Sequence, residues 1–243
     1  MFKKKKNLVY AVVITAAAAL VFTSALAAFS MTGLRSNSGS SGQNLDSAVA
    51  DLEYQISQYE DNLEKAPDNF YLLTQLGNSY YQLGMVYNSM ANDEKAKESF
   101  AAAVEPYGKA LEVEPTDVNV RVDRAVSAFW SESYDLAEEE FQTAIETDPT
   151  HAKAYFNYGI FQYYGRNNPA EALVLWNQVL ELNPADDPEL VSTTRSWIAQ
   201  LEEDSSWQLQ GDPAEGETGT EAETEDAAQE EGTEEENVEE QQN

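Results

Sequence analysis

The sequence predicts an all-α fold, an α-solenoid of stacked helical hairpins with a leading helix before them and a capping helix behind. Three observations predict it. A small residue, an aromatic four positions on, a small apolar residue three further and a proline five beyond that recur as one set. The sets are Ala103, Tyr107, Ala110, Pro115, then Ala137, Phe141, Ala144, Pro149, then Ala172, Trp176, Val179, Pro184. They lie 34 and 35 residues apart, a period that marks a stacked helical-repeat array. Apolar residues at helical spacing flank the array on both sides.

At the N-terminus, Lys3, Lys4, Lys5 and Lys6 precede an uncharged, mostly apolar run from Leu8 to Phe29. At ~1.5 Å per residue that run approaches the ~30 Å hydrocarbon core of a bilayer. Residues 1–30 thus read as a cytoplasmic lysine cluster and a single transmembrane signal-anchor in the cytoplasmic membrane. The positive-inside rule keeps the N-terminus inside and places everything after it outside. Ala25, Leu26 and Ala27 form a site of the kind signal peptidase cuts, so a secreted protein cleaved after Ala27 is the competing reading.

Residues 31–44, rich in Ser and Gly, read as a flexible linker. From there Leu45, Val49, Leu52, Ile56, Tyr59 and Leu63 alternate by four and three, one apolar seam on a leading helix over residues 45–66. The seam either packs on the first repeat or pairs with a second chain as a short coiled coil.

The first repeat, about residues 70–115, departs from the period. Pro67 to Pro115 is 48 residues, an excess of 14 that divides into about two extra turns on each helix. Gly84 through Met90 extends the first helix, and Asn92 or Asp93 is the natural cap of the second. Ala96, Phe100 and Ala103 repeat the spacing one step ahead of Ala103, Tyr107 and Ala110. The expectation is a long hairpin with Pro106 bending its second helix. Two regular hairpins follow over 118–151 and 152–186. Leu190, Val191, Thr194, Trp197, Ile198 and Leu201 then give a capping helix over 187–203 one apolar face.

Residues 204–243 carry 15 acidic groups and no base. With Val238 the one bulky apolar residue beyond Leu209, this stretch reads as a disordered acidic tail.

Leu73, Leu76, Gly77 and Tyr80 fit the first half of the tetratricopeptide pattern, W-x2-L-G-x2-Y, and each four-residue set fits its second half. In the third unit Tyr155, Tyr158 and Gly159 occupy the W, L and G positions. The second unit is poorer, with Arg121, Arg124 and Ala125 there, Ala128 for the tyrosine and Glu132 for a usual glycine. The chain resembles a tetratricopeptide-repeat protein over about residues 70–184. The resemblance implies a peptide-binding groove lined by the second, fifth, ninth and twelfth residues of each unit. In this sequence those are Tyr71, Thr74, Asn78 and Tyr81, then Asn119, Val122, Val126 and Phe129, then Lys153, Phe156, Ile160 and Tyr163. Such a lining is apolar and aromatic, suited to an apolar or amphipathic segment of a partner protein. Arg124 is expected to pair with a carboxylate such as Glu138 or Asp123, and His151 to be solvated.

Composition narrows the function. No cysteine is present and His151 is the lone histidine, so thiolate metal sites, histidine clusters and histidine-based triads have no residues to draw on. No catalytic residue, metal site or cofactor is assigned, and an enzyme is not expected. Residues 45–203 carry nine basic against 29 acidic groups within a net charge of −30, which repels phosphate backbones and argues against nucleic acid. The leading expectation is a membrane-anchored scaffold for protein-protein interactions, an assembly factor in type. A self-associating structural protein and a secreted adaptor are the alternatives.

Overall fold

Apolar periodicity, caps and prolines together fix where each helix of this chain begins and ends. The computed structural model describes residues 41–185 and 187–210, with side chains over 45–185 and 187–203. The anchor over 8–29, the first part of the linker and the tail beyond residue 210 lie outside the described residues. Among the described residues there are eight helices and no strands. They are α1 Ser41–Leu63, α2 Phe70–Ser89, α3 Asp93–Val113, α4 Val118–Trp130, α5 Tyr134–Thr147, α6 Ala152–Tyr164, α7 Pro169–Leu182 and α8 Pro188–Gln210. None of them is long and apolar enough to cross a membrane.

Side chains that accept the first free N–H groups set the starts. Asn69 Oδ1 accepts from Leu72 N–H, Asn92 Oδ1 from Lys95, Asp117 Oδ1 from Val120, Asn168 Oδ1 from Glu171 and Asp187 Oδ1 from Leu190, all at 2.9–3.2 Å. Prolines set the stops. Glu114 and Asp148, each just before a proline, leave the helical region at φ −124° and −137°, because the proline ring disfavours that region for its predecessor. Two ends differ from the sequence reading. Helix α1 begins at Ser41, inside the expected linker, and α8 runs to Gln210, through residues 204–210 of the expected tail.

The 14 extra residues of the first repeat go into its helices. α2 and α3 are 20 and 21 residues, against 13 and 14 in each later hairpin. The register shows how. A Cβ on Gly77 would meet the Tyr107 ring at 2.7 Å, and one on Gly84 would meet the Phe100 ring at 2.7 Å. Seven residues further out along both antiparallel helices, the same close approach of glycine to aromatic is made again. Pro106 sits buried within α3, which continues through it.

Each helix packs on the next along the chain, and α4 also touches α6, so the first helices of successive hairpins line one face. The core is continuous. Ala103, Ala110, Ala137, Ala144 and Ala172 are fully buried where helices approach, and Phe141, Phe156, Phe161 and Trp176 fill the space between hairpins. A single hairpin would leave half of that surface wet, which is why stacking is needed for stability.

The two ends of the array are covered. Leu52 and Ile56 of α1 are buried against α2, with Val49, Tyr59 and Leu63 half-buried beside them. The α1 seam thus packs on the first repeat within one chain. At the other end Trp197 of α8 lies 5.5 Å from Trp176, 5.9 Å from Tyr164 and 6.5 Å from Phe156, centroid to centroid. Leu190, Thr194 and Leu201 are buried with it.

Candidate protein-binding surfaces

The twelve groove positions divide in two. Tyr81, Val122, Val126, Phe129, Phe156 and Ile160 are buried by the chain's own helices. Tyr81 packs on Phe100 at 5.3 Å, Phe129 edge-on to Phe161 at 5.6 Å, and Phe156 edge-on to Trp197 at 6.5 Å. These six hold the array together, and the inner face is not the apolar trough that the family pattern implies. Tyr71 and Asn119 are exposed, while Thr74, Asn78, Lys153 and Tyr163 are half-buried. Thr74 spends its hydroxyl on the Phe70 carbonyl at 2.9 Å.

Besides Tyr71 and Tyr163, what the inner face offers is polar. Asn78 Oδ1 accepts from the Tyr107 hydroxyl at 2.7 Å, and Lys153 pairs with Asp187 of the capping helix's cap at 3.5 Å. Asp123 is the residue that the groove pattern misses, lying one position past Val122. Partial burial pushes its carboxyl up to about 7, the Asp117 charge adding and the Lys153 ammonium opposing. No sequence spacing signals this, because the burial comes from neighbouring hairpins.

His151 is also not solvated as expected. It is half-buried and caps α6, its Nδ1 accepting from Ala154 N–H at 3.2 Å. That fixes the proton on Nε2, which donates to Asn119 Oδ1 at 3.1 Å. Desolvation lowers its pKa from the ordinary histidine value.

Arg124 pairs with neither expected carboxylate. Glu140 of α5, nearly buried, receives both Arg124 Nη1 and, at 2.9 Å, Arg121 Nη1, while Arg121 Nη2 donates to the Pro115 carbonyl at 2.7 Å. Glu138 instead accepts from Arg166 Nε at 2.9 Å. The second unit thus replaces the family's apolar side chains at these positions with a two-arginine fork on one carboxylate. Its role is structural.

Partly exposed aromatic rings lie elsewhere, Trp130 and Tyr134, between the outer end of the long hairpin and the turn of the second, over the buried Phe100 and Phe129. A cleft of about 620 Å³ is lined by Phe100, Phe129, Trp130 and Tyr134, among others. Phe129 and Trp130 lie 4.8 Å apart, and Phe100 and Trp130 6.1 Å. Lys97 of α3 pairs with Glu132 across it. Glu132 stands where the family has glycine and takes a left-handed φ of 64°, which turns the backbone between α4 and α5. The cleft's size is within the range of sites that hold a few side chains of a ligand.

Hairpins of this length, stacked with small residues at the crossings and first helices lining one face, narrow the fold to a single architecture. A tetratricopeptide repeat profile matches residues 77–106. The chain folds as a tetratricopeptide-repeat solenoid. Over 91 residues it is 30% identical to the small glutamine-rich tetratricopeptide repeat-containing protein 2 of Saccharomyces cerevisiae, a match covering 37% of this chain and 26% of that protein. Over 85 residues it is 34% identical to the type IV pilus assembly protein PilF of Pseudomonas aeruginosa, covering 35% of this chain and 31% of that one. The chain therefore spans only about a quarter to a third of these curated relatives. Among solved structures, the human IFIT1 dimer with PPP-AAAA aligns at a TM-score of 0.54 and 18% identity, covering 66% of this chain and 41% of that chain. At that identity the likeness is one of fold.

Tetratricopeptide arrays mediate protein-protein interactions. The described part of this one has no group of three His, Cys, Asp or Glu side chains able to hold a metal ion.

Proposed function

We propose that this chain is a scaffold held at the outer face of the cytoplasmic membrane by residues 8–29, and that its repeats hold a partner protein during assembly of a complex. The observation that carries the reading is the cleft in which the half-buried Trp130 and Tyr134 stand over a floor of buried Phe100 and Phe129, because large rings in a concave, partly wetted site are the usual anchors of a bound segment. An apolar or amphipathic segment of the partner fills it, while Tyr71, Asn78, Asn119, Lys153 and Tyr163 on the inner face make polar contacts. The relative named as a pilus assembly protein supports an assembly role for such an array.

A photoreactive residue in place of Tyr134, in the full chain expressed in its own membranes, tests this. The expected result is a discrete protein adduct that is lost when Trp130 is replaced by Ala. Failure to capture any protein in intact membranes counts against the cleft. N-terminal sequencing addresses the anchor separately: a mature chain starting at Ala28 replaces the anchored scaffold with a secreted adaptor.

A further inference from the structure

We propose that a second surface, the groove between α1 and the base of the long hairpin, binds a cationic amphipathic segment of another protein. This groove has a volume of about 870 Å³ and lies apart from the aromatic cleft. Its floor is apolar: Leu73, Leu76 and Pro106 are buried there, with Leu63 and Tyr80 half-buried at its sides. Its rim is acidic. Glu60, Glu64, Asp68, Glu105 and Glu112 are all exposed along it.

One base stands among these carboxylates. Lys109 is bonded to Glu105 at 2.8 Å, so four carboxylates remain in excess over ammonium groups. The Tyr80 hydroxyl donates to Glu60 Oε1 at 2.7 Å and holds that carboxylate at the edge. Pro106 has no N–H, so the helical bond to the carbonyl of Ala102, a residue that lines the groove, cannot be made.

Charge selects the occupant. An acidic rim alone attracts any cation, but an apolar floor between acidic edges matches a helix with Leu-type residues on one face and Lys or Arg flanking them. A second copy of this chain is a poor fit, since residues 45–203 carry 29 acidic against nine basic groups. Nucleic acid and anionic lipid are disfavoured by the same sign. The inference stands independently of whether the chain is anchored or cleaved and of what the aromatic cleft binds.

The test uses the full chain and a fluorescein-labelled Leu/Lys peptide of about 18 residues with Leu at helical i, i+3, i+4 spacing. A scrambled peptide of the same composition is the comparison, with anisotropy as the readout. Two variants are matched in charge: E64K/E112K on the rim, and E146K/E181K at exposed sites outside the groove. The expected result is binding weakened about tenfold or more in E64K/E112K and within about twofold of wild type in E146K/E181K, with the scrambled peptide also about tenfold weaker. Helical circular dichroism unchanged in both variants shows that folding is not the cause. Equal losses in the two variants, or equal binding of the scrambled peptide, overturn the proposal as unspecific attraction. A dimer that E64K/E112K dissociates in sedimentation assigns the groove to a second copy. A chain without residues 1–7 that binds the probe about tenfold more tightly assigns it to the chain's own lysines. Either result overturns the proposal.

Discussion

Gly159 lies directly against the Trp176 indole: a Cβ on Gly159 would lie 2.3 Å from the indole Nε1. That nitrogen donates to the Phe156 carbonyl at 3.2 Å, and the ring is fully buried, so it has nowhere to move. Gly159→Ala is expected to destabilise the array by about 1–3 kcal/mol through overpacking, read by urea denaturation. Gly108→Ala is the comparison. There the new methyl meets the Arg124 guanidinium at 3.2 Å, and the helix gains roughly 0.5–1 kcal/mol from losing a glycine, so the change is close to neutral. Equal losses at both sites would show that the indole contact is not special.

Glu140 carries two guanidinium groups in a site that is itself nearly dry. Glu140→Ala leaves both uncompensated and is expected to cost about 3–5 kcal/mol. Replacing all three, as R121M/R124M/E140L, removes the charges together and should recover most of that loss. Thermal melts of the single and triple variants decide it: a triple variant as unstable as E140A would mean the fork contributes more than charge pairing.

Asp123 gives stability a pH slope of unusual sign. Its folded carboxyl titrates at about 7, against ~3.9 in an unfolded chain. The native state therefore holds the proton more tightly, and the stabilisation is fullest below about pH 4 and lost as pH rises towards 7. His151 acts oppositely. Its lowered pKa means that stability falls as pH drops through ~6.5. Comparing wild type with Asp123→Asn isolates the carboxylate. The variant should gain on wild type from pH 5 to 8 by denaturant unfolding, and a difference that stays flat over that range contradicts the assignment.

Ala91, at the turn of the long hairpin, has a left-handed φ of 55°. An L-residue there costs about 1–2 kcal/mol, of which glycine's larger unfolded-state entropy returns roughly half. Ala91→Gly should therefore stabilise by about 0.5–1 kcal/mol. Glu132→Gly, at φ 64°, should gain less, because it also removes the exposed pair with Lys97. The order of the two midpoints in urea is the measurement.

The fold was legible because small and aromatic residues repeat at crossings that every hairpin must make, as in Ala137, Phe141 and Ala144. The site was legible only in part. A repeat position names a face of a helix but not how deeply a neighbour covers it. Val126 and Ile160 point inward as the pattern implies, yet the adjoining hairpins bury them, whereas Tyr71, at the start of α2, has no preceding repeat over it. Trp130 and Tyr134 escaped notice because the cleft between them exists only once the lengthened hairpin stands beside a regular one. Arg124 was read correctly as an ion-pair partner, but the choice among Glu138, Glu140 and Asp123 depends on how α5 is rotated, and single-residue rotation is invisible in spacing.

The helices pack in chain order, each second helix most extensively on the first helix of its own hairpin, with α4 on α6 bridging two hairpins. Mechanically, such an object is a set of elements loaded in series. A pull between α1 and α8 is transmitted through every hairpin contact in turn. In such a series a small rotation at each joint adds to the next, which sets the curvature of the whole array. A load between the ends therefore passes through the long hairpin as well as the two regular ones.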